Sequence, residues 1–217
     1  MECELKFSSF NCNGFKNRNY DYVTDIFKDC DVLLLQETWL YNFEHNNFSN
    51  VIPECNYYAV SAMDESQIAH VGRPYGGCAV IWHRRLLMTF NPVTTNSKRL
   101  CAVNIVADNM NIILINVYMP NDDNCDNSFN EYGDILCEIT SIIQLYDASD
   151  IILGGDFNVD FSRVNSRNLQ LLKQFLDHKP LLCEILHLIS NNFTRECSLG
   201  NRSLLIILLY VQILIIM

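Results

Sequence analysis

Three short apolar runs in this chain end abruptly on a polar side chain, and that limits the fold more than any bulk property does. Leu5 to Phe10 gives way to Asn11-Cys12-Asn13-Gly14. Asp31 to Gln36 (DVLLLQ) delivers Glu37, and Ile151 to Leu153 leads through Gly154-Gly155 to Asp156 and Asn158. Each run is too short for an amphipathic helix and reads as a buried strand. A carboxylate set directly after such a strand is costly to bury idle. The ends of these strands are therefore where chemistry is expected.

The other elements follow from the same pattern. Asn56 to Ser61 and Cys78 to Trp82 read as strands, with a loop from Gln67 to Tyr75 closed by Gly76-Gly77 before the second. Leu100 to Val106 and Asn111 to Tyr118 form a pair around an Asp108-Asn109 turn, and Pro120 stops the later strand. A short helix carries Tyr22, Val23, Ile26 and Phe27. Ser128 and Glu131 predict a capping box for a longer helix whose inner face is Tyr132, Ile135, Leu136, Ile139, Ile143 and Tyr146. A further helix runs from about Ser166 to Leu176 with Leu169, Leu172 and Phe175 inward. Strands mix with helices without strict alternation, which favours packed sheets flanked by helices over a doubly wound sheet.

The chain has 217 residues and no linker-like stretch, so it suits one large domain. Its formal net charge of −10 argues against tight autonomous binding to a polyanion. Of the ten cysteines no two are spaced as a zinc knuckle or redox pair, and most lie in apolar runs where a free thiol fills core. The opening Met-Glu-Cys-Glu-Leu-Lys has no signal-peptide character. An intracellular protein, in nucleus or cytoplasm and not secreted, with reduced cysteines is expected. The five histidines (His45, His70, His83, His178, His187) read as loop or helix-surface residues.

Asn11 and Asn13, Glu37, and Asp156 with Asn158 share one setting: a strand end whose side chain could reach a cation or a phosphate. A hard divalent cation takes oxygen ligands and keeps several waters, which a carboxylate and amides on converging strand ends supply. Phosphodiester hydrolysis needs the same parts, namely a cation, a group that orients water, and donors for the developing charge. Taken singly, Asn11 and Asn13 could be turn formers beside Gly14, and Tyr118 could be core at the end of its strand.

The series FNCNG (10–14), QETW (36–39), GGCAVIW (76–82), INVYMP (115–120) and GGDFNVD (154–160) resembles the endonuclease/exonuclease/phosphatase superfamily. Within it, the series is most similar to the apurinic-type endonuclease domain of non-LTR retrotransposons, from about Phe7 to Ser203. The resemblance implies a four-layer α/β/β/α sandwich of two mixed sheets, as in deoxyribonuclease I. It implies Mg²⁺, or Mn²⁺, held by Glu37 with Asn11 beside it. It further implies that Tyr118 gives its hydroxyl to the scissile phosphate, that Asp156 orients or deprotonates water, and that Asn158 hydrogen-bonds the phosphate. Thr194 and Asn13 are the implied substrate contacts, and DNA the implied partner of a monomer.

The family pattern continues with an Arg-Ser-x-Ile-Asp segment and a terminal Ser-Asp-His. Here Arg202-Ser203-Leu204-Leu205-Ile206 is followed by Ile207, and no Ser-Asp-His occurs. Residues 1–203 therefore read as an incomplete domain and 204–217 as an aberrant hydrophobic tail from a frameshift or mis-joined exon. Fourteen residues fall short of the roughly twenty needed to span a bilayer, and are about twice the usual strand length. The expectation is a DNA endonuclease domain that is weak or inactive in this form. A dead remnant or binding module, or a phosphatase of the same fold, are the alternatives; against the last, MPNDDN (119–124) lacks the Trp-Cys-Asp-Arg-type sequence of inositol-phosphate phosphatases.

Overall fold

Successive side chains of a strand point to opposite faces, and most strands of this chain are apolar on both, so each sheet must be covered twice. The computed structural model describes residues 5–63, 74–107, 110–146, 150–160 and 162–177, with two-residue strands at 2–3, 195–196, 202–203, 207–208 and 215–216. The main elements in chain order are β1 (Phe7–Asn11), α1 (Asn17–Lys28), β2 (Val32–Gln36), α2 (Asn47–Val51), β3 (Cys55–Val60), β4 (Cys78–His83), β5 (Thr89–Val93), β6 (Leu100–Ala107), β7 (Met110–Tyr118), α3 (Asp126–Leu145), β8 (Asp150–Asp156) and α4 (Arg167–Asp177).

One sheet has the order β1-β2-β4-β3, with β1 and β2 parallel and the other neighbours antiparallel. The second has the order β8-β7-β6-β5, with β8 and β7 parallel and the rest antiparallel. Ile207–Leu208 lies antiparallel along the outer edge of β8, opposite Gly154 and Leu153.

Period-two alternation then sorts the core into three layers of contact. Val32 and Leu34 of β2 meet Leu114 of β7, Val103 of β6 and Ile152 of β8 between the sheets. Leu33 and Leu35 face the other way, onto Val23 and Phe27 of α1 and Phe48 of α2. Ile113, Ile115 and Val117 of β7 pack beneath Tyr132, Ile135, Leu136 and Ile139 of α3 and Leu169 and Leu172 of α4. Helix, sheet, sheet, helix is the four-layer sandwich that the resemblance implies.

Several local readings need correction. The longer helix starts at Asp126 without a Ser128–Glu131 box. Ser128 instead donates to Asp123, whose other carboxylate oxygen accepts the Cys125 N–H, and Glu131 is paired with Arg99 at 2.7 Å. Ile142, not only Ile143, is on the buried face. Of the apolar residues at helical spacing in α1, Val23 and Phe27 are buried and Tyr22 is largely exposed. Strand β5 was not foreseen: Thr89-Phe-Asn-Pro-Val93 is mostly exposed, and Pro92 is tolerated because β5 is an edge strand.

His45 is buried rather than exposed, and His83 ends a strand with its ring stacked on Phe27 at 4.1 Å. The seven described cysteines are all free, five of them buried. The Gln67–Tyr75 loop in large part, the Asp108-Asn109 turn, Thr194 and most of 204–217 lie outside the described residues. Among the described residues no helix is long and apolar enough to cross a membrane.

Candidate active site

Each sheet contains one parallel pair of strands, and the carboxyl ends of both pairs open on the same end of the sandwich. Asn11 ends β1 opposite Gln36 of β2, with Glu37 next in the chain. Tyr118 ends β7 opposite Asp156 of β8. The β1/β2 pair and the β7/β8 pair belong to different sheets, so the site is assembled across the inter-sheet layer.

Asn11 joins the two halves. Its Nδ2 donates to Glu37 Oε1 at 2.8 Å and to Asp156 Oδ2 at 2.8 Å. Its Oδ1 accepts the backbone N–H of Asn13 at 3.1 Å. Asp156 is 2% exposed, and its Oδ1 accepts the Asn158 N–H at 3.0 Å. Asn158 Nδ2 donates to the Met119 carbonyl at 2.6 Å, which ties the turn after β8 to the end of β7 and leaves one N–H of that amide for a ligand.

Tyr118 closes the group. Burial, the Glu37 and Asp156 charges and a hydrogen bond with the Glu37 side chain push its phenol well above the ordinary value, against the opposing pull of Arg99. The hydroxyl thus keeps its proton and can donate. Arg99 lies over the Tyr118 ring at 5.2 Å and is fixed by Glu131.

The turns that present these groups are strained. Asn13, Glu37 and Asn158 all have positive φ, at 47°, 51° and 48°. This region is uncommon for residues with a Cβ, least so for Asn, and such residues persist where the surroundings over-determine them. For Glu37 the surroundings are clear: the Gly14 N–H donates to its carbonyl, and Thr38 and Trp39 donate to Gly77 and Gly76. A Cβ on Gly14 would collide with the Trp39 ring, so that glycine is required by the close approach.

Every described residue expected at the site on sequence grounds is therefore brought together: Asn11, Asn13, Glu37, Tyr118, Asp156 and Asn158. Asn13 contributes through its backbone, donating to Asn11 and accepting from Arg18. Sequence reasoning missed Gln36 and Asn116, both wholly buried, which lie directly beneath. Their signal was available as amides on the inter-sheet face of otherwise apolar strands.

The donor set bears on a metal. Two carboxylates converge on the Asn11 amide from opposite sheets, and the amide oxygen would face them if that amide turned over. These all-oxygen donors fit a hydrated Mg²⁺ or Mn²⁺ and not a soft cation. Among the described residues no three His, Cys, Asp or Glu side chains cluster.

Solved structures with the same fold include the 3′ phosphatase NExo from Neisseria bound to product DNA hairpin, at 16% identity and TM-score 0.57, covering 80% of this chain and 70% of that one. An AP endonuclease from Archaeoglobus fulgidus is similar at 17% identity and TM-score 0.57, again over 80% and 70%. TDP2 from Caenorhabditis elegans is similar at 17% identity and TM-score 0.51, with 75% of this chain covering 50% of that one. No curated protein sequence matches the chain. The match to the Endonuclease/Exonuclease/phosphatase family spans residues 8–195, from β1 past β8, and so takes in every strand end of the site: the chain belongs to that family.

Proposed function

We propose that this chain is a divalent-metal-dependent, phosphodiester-hydrolysing DNA endonuclease domain of retrotransposon origin, slow in the form of these 217 residues. The observation that carries the reading is the meeting of Glu37 and Asp156 across two sheets on the single Asn11 amide, with a protonated Tyr118 beside them. The retrotransposon assignment is supported by the motif series from FNCNG to GGDFNVD.

Each residue has a role its surroundings permit. Glu37, with the Asn11 amide, would hold the cation. A cation so held would neutralise phosphate charge and lower the pKa of bound water. Asp156 accepts N–H groups from Asn11 and Asn158, and as a carboxylate it would orient a water by accepting its hydrogen. Tyr118 donates its hydroxyl to a phosphate oxygen, and Asn158 offers its remaining N–H to another. Thr194 and Asn13 would contact the nucleic-acid backbone.

The sequence contains no Ser-Asp-His to meet transition-state charge. Loss of one such donor typically costs on the order of 10²–10³ in rate. Supercoiled plasmid with Mg²⁺ tests the reading. Slow nicking that Asp156→Ala abolishes, and that a family-like ending with Ser-Asp-His raises by about that factor, supports it. Nicking by the wild-type chain that survives Asp156→Ala would refute it.

A further inference from the structure

The two halves of the site sit on different sheets, so something must set the distance between them. Along β7 the inter-sheet positions are Ile112, Leu114, Asn116 and Tyr118, and along β2 they are Val32, Leu34 and Gln36. The layer is apolar until its last row before the site, where it becomes an amide network. Apolar contact is non-directional and tolerates sliding. Hydrogen bonds between buried amides do not.

Asn116 belongs to one sheet and reaches the other. Its Nδ2 donates to the Leu35 carbonyl of β2 at 2.9 Å and to the Ala79 carbonyl of β4 at 2.8 Å. Its Oδ1 accepts from Gln36 Nε2 at 2.7 Å, and Gln36 in turn is bonded to Ser9 of β1 at 3.0 Å. Asn116 and Gln36 are both 0% exposed, and all their donors are used. Gly154, the register partner of Asn116 on β8, leaves room for this approach: a Cβ there would come 2.6 Å from Leu34 Cδ1 on the opposite sheet.

Apart from Ala79, the network's members lie one or two residues from a site group. Ser9 and Asn11 share a face of β1, Gln36 precedes Glu37, Asn116 precedes Tyr118 by one turn of the pleat, and Gly154 precedes Asp156 likewise. We infer that Asn116 and Gln36 are a positioning pair that fixes the spacing between Asn11 and Glu37 on one sheet and Tyr118 and Asp156 on the other. Only at that spacing can one Asn11 amide bond both carboxylates. A shift of about 1 Å in such a constellation is enough to cost on the order of 10² in rate. What the spacing serves rests on the hydrolytic reading above; the spacing itself does not.

The test uses the full chain labelled with ¹⁵N, with Asn116→Leu and Gln36→Met as near-isosteric variants, and Ile113→Ala on the opposite face of β7 as a matched core defect. Two readouts are taken: hydrogen exchange of the Asn11 side-chain amide, and Mn²⁺-dependent hydrolysis of bis(para-nitrophenyl) phosphate, whose leaving group needs no acid. Both positioning variants should keep a folded backbone spectrum, exchange the Asn11 amide protons at least about tenfold faster, and lower kcat at least about tenfold with KM within about twofold. Ile113→Ala should change neither readout. Asn11 exchange unchanged in both variants overturns the inference, whatever happens to hydrolysis. Failure of both to fold overturns it too, since the network would then be a condition of folding. Exchange that quickens while even the wild type hydrolyses nothing leaves the positioning pair standing and removes the hydrolytic reading.

Discussion

Tyr118 stands directly opposite Asp156 in the parallel ladder of β7 and β8, so two groups 38 positions apart in sequence leave the second sheet side by side. Their neighbours one pleat earlier, Asn116 and Gly154, are partners in the same ladder. The site is thus an extension of ordinary sheet register, and its chemistry depends on few adjustable parts.

Removing the Tyr118 hydroxyl while keeping its ring isolates one of those parts. Tyr118→Phe retains the Arg99 contact and the burial, and loses only the hydrogen bond to Glu37. Stability should change by less than about 1.5 kcal/mol. Plasmid nicking should fall on the order of 10² or more. Thermal unfolding and nicking rates measured on one preparation separate the two effects.

Strain at Glu37 predicts a trade of function for stability. Glycine adopts a φ of 51° without penalty, and the substitution also removes a carboxylate facing Asp156. In EDTA, Glu37→Gly should be as stable as wild type or about 1 kcal/mol more so. Glu37→Ala, still strained, should be less stable than Glu37→Gly. The ranking of the two by chemical denaturation checks this.

Gly155 admits no side chain. Its φ is 135°, and a Cβ would sit on the Val117 carbonyl of the neighbouring strand. Gly155→Ala should destabilise by about 3 kcal/mol or more by pulling β8 from β7 and displacing Asp156. Loss of soluble protein, or of the folded spectrum, is the expected outcome.

The buried thiols set the alkaline limit. Burial pushes Cys12 from the ordinary 9.0 up to about 12, and Cys30 up to about 11. A thiol with a raised folded value keeps its proton after the unfolded chain has lost it. Its contribution is therefore complete below pH 9.0 and declines as pH climbs from there toward the folded value. Each such thiol adds a slope of up to about 1.4 kcal/mol per pH unit. Cys12→Ala should flatten the decline between pH 9 and 11 by about that much, read from denaturation midpoints. Among the described cysteines, thiol reagents at neutral pH should modify the exposed Cys125 and Cys137 first.

Much of this was legible in the sequence because buried strands ending on polar residues carry both fold and site in a few residues. DVLLLQ-Glu37 and IIL-GGD are unambiguous in this sense. What escaped had contrary local signals. β5 carries Pro92 and mostly exposed side chains, and only the edge of a sheet makes it a strand. Ser128 and Glu131 have the spacing of a cap, but their partners, Asp123 and Arg99, come from outside the helix. His45 is polar by type and buried by topology, and His83 stacks its polar ring on Phe27. Gln36 and Asn116 read as breaks in apolar strands until the opposite sheet supplies the carbonyls and amides they bond.

Whether Glu37 and Asp156 serve a cation as well as the Asn11 amide they share is decided most directly by titrating Mn²⁺ into the full chain and following free Mn²⁺ by electron paramagnetic resonance. The account predicts one Mn²⁺ bound per wild-type chain, with binding lost in Glu37→Ala and displaced by Mg²⁺. Undiminished Mn²⁺ binding by Glu37→Ala, or none by the wild type, would contradict it.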